Sequence, residues 1–81
     1  MTSKKRRKRR KTKAGELLRK ARVSKKLSLN DVSAATGLQG GGISHIENGR
    51  SVPTIKTAII LCTFYKLPMK KLIEAVKEDE L

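Results

Sequence analysis

The sequence predicts a small all-α domain of five helices, because its apolar residues recur at helical spacing and its turns carry helix start and stop signals. In the middle of the chain the apolar residues fall at steps of three, and the step repeats after Gly37. These residues are Val32, Ala35, Leu38, Ile43 and Ile46. Two short amphipathic helices that turn their apolar sides to one core account for the pattern. With 81 residues the chain has room for one small core and no second domain.

Capping signals mark the ends of these two helices. Ser28 precedes the first with Asp31 three residues on, so both side chains can accept hydrogen bonds from free backbone N–H groups. Gly37 marks the corner, and Asn48 with Gly49 ends the second helix, since glycine adopts the left-handed conformation without strain. The five helices are expected at about residues 14–25, 29–36, 40–48, 54–65 and 68–78.

The fourth and fifth helices carry more apolar residues than one core-facing stripe can hold. The stripe expected to face the core from the fourth helix is Ile55, Ala58, Leu61, Cys62 and Tyr65. Outside it, wholly or in part, lie Ile59, Ile60 and Phe64, and the fifth helix adds Met69, Leu72, Ile73 and Val76. These residues either complete the core of one protomer or face a second copy of the chain.

Positive charge is concentrated near the N-terminus. Twenty Lys and Arg against seven Asp and Glu give a net charge of +13, a balance suited to a polyanionic partner. Nine of the basic residues are Lys4, Lys5, Arg6, Arg7, Lys8, Arg9, Arg10, Lys11 and Lys13, with no acidic residue among them. Because like charges repel and this stretch has no apolar residue to bury, residues 1–13 are expected to form a disordered arm. A solvated tail and a nuclear-import signal are the alternatives.

Several function classes are excluded by composition. One Cys and one His cannot assemble a metal cluster or a recognisable nucleophile and base pair, so neither an enzyme nor a cofactor is expected. The Gly40-Gly41-Gly42 run follows a helix and lacks the spacing of a nucleotide-binding loop.

Cys62 is expected to be a small buried core residue. With no apolar run near 18 residues and no secretion signal, we expect no membrane partner and a cytoplasmic location.

The central motif resembles the helix-turn-helix of phage-type repressors, the Cro and XRE class of small transcription regulators. The similarity is carried by Ser33 (usually alanine), Gly37, Ile43, Ile46 and the run Glu47-Asn48-Gly49-Arg50. It extends over about residues 14–72 of the chain. The resemblance implies a compact lambda-repressor-like domain over residues 14–81 that binds double-stranded DNA, and hence association with the nucleoid.

By position in the motif, the resemblance also implies which residues meet DNA. The base-reading positions are Gln39, Gly40, Gly41, Ser44 and His45, and the phosphate positions are Ser28, Gly42, Asn48, Arg50 and Lys56. Two base-reading positions have no side chain, so sequence choice is expected from His45, Ser44 and Gln39, with affinity supplied by the basic arm. Each glycine lowers helix stability by about 1 kcal/mol relative to alanine. In return, the glycines are expected to allow close backbone approach to DNA.

Two further contacts are implied by the resemblance. Arg22 of the first helix should form a bidentate pair with Glu47, the alternative being two unrelated surface charges. The last helices should form a two-fold interface through Ile60, Phe64, Leu72, Ile73 and Val76, unless these residues only complete the monomer core. A homodimer would place two reading helices about 34–36 Å apart and require a pseudo-palindromic operator.

The leading functional interpretation is therefore a sequence-specific DNA-binding transcriptional regulator, repressor or activator, acting as a homodimer. One alternative is an antitoxin that binds a partner toxin through the same fold. Another is a weakly specific basic protein that binds DNA or RNA mainly through its arm. The arginines of that arm could favour A·T-rich flanks, where the minor groove is narrow and its potential most negative.

Overall fold

The computed structural model describes residues 12–80. Over this range the chain forms five α-helices and no strand: α1 (Lys13–Ser24), α2 (Leu29–Thr36), α3 (Gly40–Glu47), α4 (Ile55–Tyr65) and α5 (Met69–Asp79). The predicted all-α, five-helix fold is confirmed, and each helix begins and ends within one residue of its expected bounds. The expected disordered arm, residues 1–13, ends too late, because Thr12 is the N-cap and Lys13 the first residue of α1. The other residues of the arm, 1–11, lie outside the described residues.

The capping signals of α2 are in place. The Ser28 hydroxyl accepts from the Asp31 N–H at 3.0 Å, and the Asp31 carboxylate accepts from the Ser28 N–H at 2.9 Å. These hydrogen bonds with the backbone and side chain of Ser28 hold the pKa of Asp31 below its usual value. At the other end of α2, Gly37 has a φ of 80°, a left-handed conformation that favours glycine over any residue with a Cβ.

The core lies where the five helices meet, and each of them contributes to it. Its buried apolar residues are Ala14, Leu18, Val32, Ile43, Ile46, Ala58, Leu61, Cys62, Tyr65 and Leu72. Cys62 is a buried free cysteine, as predicted, and burial raises the pKa of its thiol. None of the helices in the described part of the chain is long and apolar enough to cross a membrane.

Two residues expected to face the core lie at the surface instead. Ala35 is exposed, because three residues of α-helix fall about 60° short of a full turn and carry it away from the direction of Val32. Thr36, four residues after Val32, stays on that side and donates from its hydroxyl to the Val32 carbonyl at 2.7 Å. Ile55 is 78% exposed because it is the first residue of α4, and burial begins one turn later at Ala58.

A close approach between α1 and α3 was not predicted. A Cβ at Gly15 would lie 2.5 Å from the carbonyl oxygen of Ile46 and 2.8 Å from that of Glu47. The backbone of α1 therefore packs directly on the C-terminal end of α3. This contact fixes the first turn of α1 beside the end of the predicted reading helix.

Candidate nucleic-acid interface

The turn between α2 and α3 is held by side-chain hydrogen bonds to its backbone. The Ser33 hydroxyl donates to the Leu38 carbonyl at 2.5 Å, and the Leu38 N–H donates to the Thr36 hydroxyl at 3.2 Å. The Leu38 side chain packs against the core. Alanine, the usual family residue at the position of Ser33, has no donor for this contact. The two hydrogen bonds stabilise the angle at which α3 follows α2.

Four of the five residues predicted to read bases belong to α3, and the fifth, Gln39, is its N-cap residue. The inward side of α3 is anchored by buried Ile43 and Ile46. Gln39, Gly41 and His45 are exposed, whereas Gly40 and Ser44 are partly buried. The helix therefore presents one continuous face of small and polar residues, with His45 and Gln39 as its most accessible side chains.

No atom of the described chain accounts for the three glycines that begin α3. A Cβ at Gly40, Gly41 or Gly42 would meet nothing within 4 Å. Gln39, the N-cap residue, makes no side-chain hydrogen bond to the helix. The N–H groups of the first turn cannot be satisfied within the helix. The three residues of this turn have no side chains that could cover them. Such an end suits the close approach of an anionic partner.

Ser44 and Asn48 are coupled to each other. The Asn48 side-chain amide donates to the Ser44 hydroxyl at 3.3 Å, and both residues are partly buried. The serine O–H can still donate outward, because a hydroxyl that accepts one hydrogen bond keeps its own proton. One predicted base-reading residue is thereby oriented by one predicted phosphate-binding residue.

Of the other predicted phosphate-binding residues, Gly42 lies in the first turn of α3 and the rest lie outside that helix. Ser28, Gly42, Arg50 and Lys56 are all exposed. Ser28 caps α2, Lys56 lies in the first turn of α4, and Arg50 follows α3. The Arg50 N–H donates to the His45 carbonyl at 2.8 Å, which fixes its backbone to the end of α3.

The bidentate pair implied between α1 and α3 is present. Arg22 donates through Nε to Glu47 Oε2 at 2.8 Å and through Nη2 to Oε1 at 2.9 Å. Its Nη1 donates to the Leu27 carbonyl at 2.8 Å, so Arg22 also holds the segment that precedes α2. The side chains are only 14% and 5% exposed, and the carboxylate of Glu47 raises the pKa of the Arg22 guanidinium. The pair therefore ties the C-terminal end of α3 to α1.

Tyr65 is a buried core residue close enough to this pair to feel both of its charges. Its hydroxyl is buried and has no hydrogen-bond partner among residues 12–80. Burial, with a smaller contribution from the negative charge of Glu47, raises the pKa of Tyr65 to about 12. The ring therefore stays neutral beside the ion pair throughout the physiological pH range.

The predicted dimer residues differ in how much surface they offer. Ile73 is 46% exposed, and Ile60, Phe64 and Val76 are partly exposed on α4 and α5. Leu72 is only 1% exposed. Its prediction as an interface residue is wrong, because its side chain is buried in the core of its own protomer. Ile59, expected outside the core stripe, is 48% exposed.

Of the nine basic residues assigned to the arm, only Lys13 lies in the described part of the chain. Its Nζ is 2.8 Å from Glu78 Oε1, and this hydrogen bond raises the pKa of Lys13. Lys4 to Lys11 lie outside the described residues. Within residues 12–80, no group of three or more His, Cys, Asp or Glu could hold a metal ion.

Comparison with known families agrees with this geometry. Residues 15–78 match the family model described as a helix-turn-helix domain. The chain belongs to the Cro/XRE-type helix-turn-helix family. The family is one of DNA-binding transcriptional regulators rather than enzymes, as the sequence predicted.

Two relatives of this helix-turn-helix protein are named regulators. The HTH-type transcriptional repressor RghR of Bacillus subtilis is 40% identical over 60 residues, which cover 73% of this chain and 44% of the relative. The transcriptional regulator ClgR of Mycobacterium tuberculosis is 36% identical over 55 residues, covering 68% and 49%. The chain thus spans about half the length of these curated relatives.

The fold has a close counterpart among solved structures. The restriction-modification controller protein C.AhdI of Aeromonas hydrophila superposes with a TM-score of 0.69 at 24% sequence identity. The match covers 75% of this chain and 92% of that one. The similarity shows that the five-helix arrangement is a known helix-turn-helix fold.

Proposed function

We propose that this helix-turn-helix protein is a sequence-specific regulator of transcription that binds double-stranded DNA in the cytoplasm, as a homodimer on a pseudo-palindromic operator. The observation that carries the proposal is the outward face of α3. Its residues Gly41 and His45 are exposed, and the Arg22–Glu47 pair ties the helix to α1. Exposed residues suited to phosphate contact lie at the cap of α2, just after α3 and in the first turn of α4.

The reading face divides recognition among a few side chains. His45 can donate to a guanine edge or pack on a thymine methyl group, and Gln39 can bind adenine through its amide. Ser44, oriented by Asn48, serves several bases. Ser28, Gly42, Asn48, Arg50 and Lys56 fix the register on the backbone and add no base preference. The basic arm supplies affinity that falls steeply with salt.

The glycines at the start of α3 allow a test of close backbone approach to DNA. Gly41→Ala is expected to raise the free energy of unfolding by about 0.5–1 kcal/mol, because alanine is the better helix former and its Cβ meets no protein atom. The same change is expected to weaken DNA binding about tenfold, since the methyl group holds the helix end away from the duplex. Thermal unfolding and fluorescence anisotropy measure the two effects.

The matched control is Thr63→Ala, which raises helix propensity at an exposed position near the C-terminal end of α4. It should stabilise the fold slightly without changing affinity. If Gly41→Ala left both affinity and base preference unchanged, close approach would not be the role of these glycines.

The homodimer is proposed through the surface of α4 and α5 that contains Ile60, Phe64, Ile73 and Val76. Ile73→Glu is expected to shift the chain from dimer to monomer while leaving the fold intact, because Ile73 is nearly half exposed and a buried interface excludes an unpaired charge. Sedimentation equilibrium at micromolar concentration measures the change. A wild-type chain that stays monomeric with and without DNA would remove the dimer from the proposal.

Selection of bound duplexes from a random DNA pool tests the proposed function itself. The expected result is enrichment of a two-fold symmetric sequence whose half-sites lie one helical turn apart. Uniform recovery of all duplexes would contradict sequence-specific regulation and favour the weakly specific basic protein.

A further inference from the structure

The first turn of α1 is held by the last turn of α5. The Asp79 carboxylate accepts from the Lys13 N–H at 2.7 Å and from the Ala14 N–H at 3.0 Å, one oxygen to each. The Thr12 hydroxyl accepts from the Gly15 N–H at 3.0 Å. These are N–H groups that a helix cannot satisfy internally. A residue 66 positions along the chain thus supplies most of the cap of α1.

This turn is the point at which the basic arm joins the domain. Eight basic residues, at positions 4–11, precede Thr12. Gly15 packs on the carbonyl groups of Ile46 and Glu47, and Thr12 lines a cleft of about 400 Å³ together with Arg50. The arm therefore joins the domain at the C-terminal end of α3, next to a residue proposed to bind phosphate.

The place of that junction decides which phosphates the arm can reach. An extended chain spans at most about 3.6 Å per residue, so a tether of four residues reaches at most about 14 Å and one of eight residues at most about 29 Å. With α3 seated on DNA, the arm acts as a tethered second binding element. Its effective concentration at a given phosphate depends on where the tether begins.

We propose that Asp79 is a positioning residue for DNA binding, whose carboxylate fixes the first turn of α1 and hence the point at which the arm is joined to the domain. The inference rests on the proposed function. Charge alone predicts the opposite effect, because a carboxylate beside the arm repels DNA and competes for the basic residues. Loss of positioning and loss of negative charge therefore predict opposite changes in DNA affinity when Asp79 is neutralised.

The experiment compares Asp79→Asn in the full chain and in a chain that begins at Thr12, each titrated with a duplex from the random-pool selection at 50 mM and 150 mM salt. In the full chain Asp79→Asn is expected to weaken binding about three- to tenfold and to reduce its salt dependence. In the shortened chain the same substitution should change affinity by less than about twofold. Titration well below the melting temperature of each variant keeps every chain folded.

The matched control is Glu80→Gln, which removes a neighbouring exposed carboxylate that has no hydrogen bond to α1 within residues 12–80. It should leave affinity unchanged or slightly increase it. Equal or tighter binding by Asp79→Asn in the full chain overturns the inference, and so does equal weakening in the full and shortened chains. A wild-type chain that binds no duplex refutes the proposed function instead, before any variant is compared.

Discussion

Removal of residues 1–11 is expected to weaken DNA binding by about two to three orders of magnitude at physiological salt and to flatten its salt dependence. The deletion takes away eight of the twenty basic residues and lowers the net charge from +13 to +5. If about five of the eight neutralise phosphates, the slope of log affinity against log salt falls by about 4.5. Fluorescence anisotropy over a salt series measures both quantities.

The control for the deletion separates the arm from total charge. Lys70 and Lys71 are exposed on α5, and changing both to Gln should reduce affinity far less per charge removed, because neither is proposed to contact DNA. A deletion that left the salt slope within one unit of the wild-type value would show that the arm is a solvated tail.

Glu47→Ala is expected to destabilise the fold by about 3–5 kcal/mol, because it leaves the largely buried Arg22 guanidinium without its carboxylate. For a domain of this size, 3 kcal/mol corresponds to a fall of about 12–24 °C in melting temperature. Binding should weaken as well, since the end of α3 loses its tie to α1. Thermal and urea unfolding measure the stability change.

Two comparisons sharpen this test. Glu16→Ala removes an exposed glutamate of α1 and should leave the melting temperature nearly unchanged. The double variant Arg22→Met with Glu47→Leu should recover most of the loss, because an apolar pair of similar volume avoids the buried unpaired charge. An unchanged melting temperature in Glu47→Ala would contradict the structural role of the pair.

The sequence predicted the helices well because their boundaries are set by local chemistry. Ser28, Asp31 and Gly37 each act within four residues, so the bounds of α2 could be read directly. The core positions Val32, Ile43 and Ile46 followed from helical spacing. Ile55 was placed wrongly because spacing carries no information on where a helix extends past the core.

Contacts between distant parts of the chain were predicted less completely. The Arg22–Glu47 pair was anticipated only through the resemblance to a family. The cap of α1 by Asp79 and the packing of Gly15 on α3 were missed, because no periodic pattern or local motif marks them. Leu72 was assigned to the interface because apolar spacing alone does not distinguish a core of one protomer from a surface between two. Ser33, a departure from the family pattern, gave no sign of its hydrogen bond to Leu38.

The proposed recognition element is a short helix with few side chains. Gly40, Gly41 and Gly42 are not required by any contact within residues 12–80, so their cost in helix stability needs a reason outside the protein. A duplex approached by the bare helix end provides one. Under this proposal, sequence choice depends on His45, Gln39 and Ser44, and the basic residues near the N-terminus supply much of the affinity.

The most direct test of this account is the ratio of affinities for the selected duplex and for a scrambled duplex of the same length and composition, both measured at 150 mM salt. A sequence-specific regulator is expected to prefer the selected duplex by about a thousandfold or more. His45→Ala should lower that ratio by about tenfold while leaving the affinity for the scrambled duplex unchanged. Equal affinities of the wild-type chain for the two duplexes would contradict the central claim that α3 reads a DNA sequence.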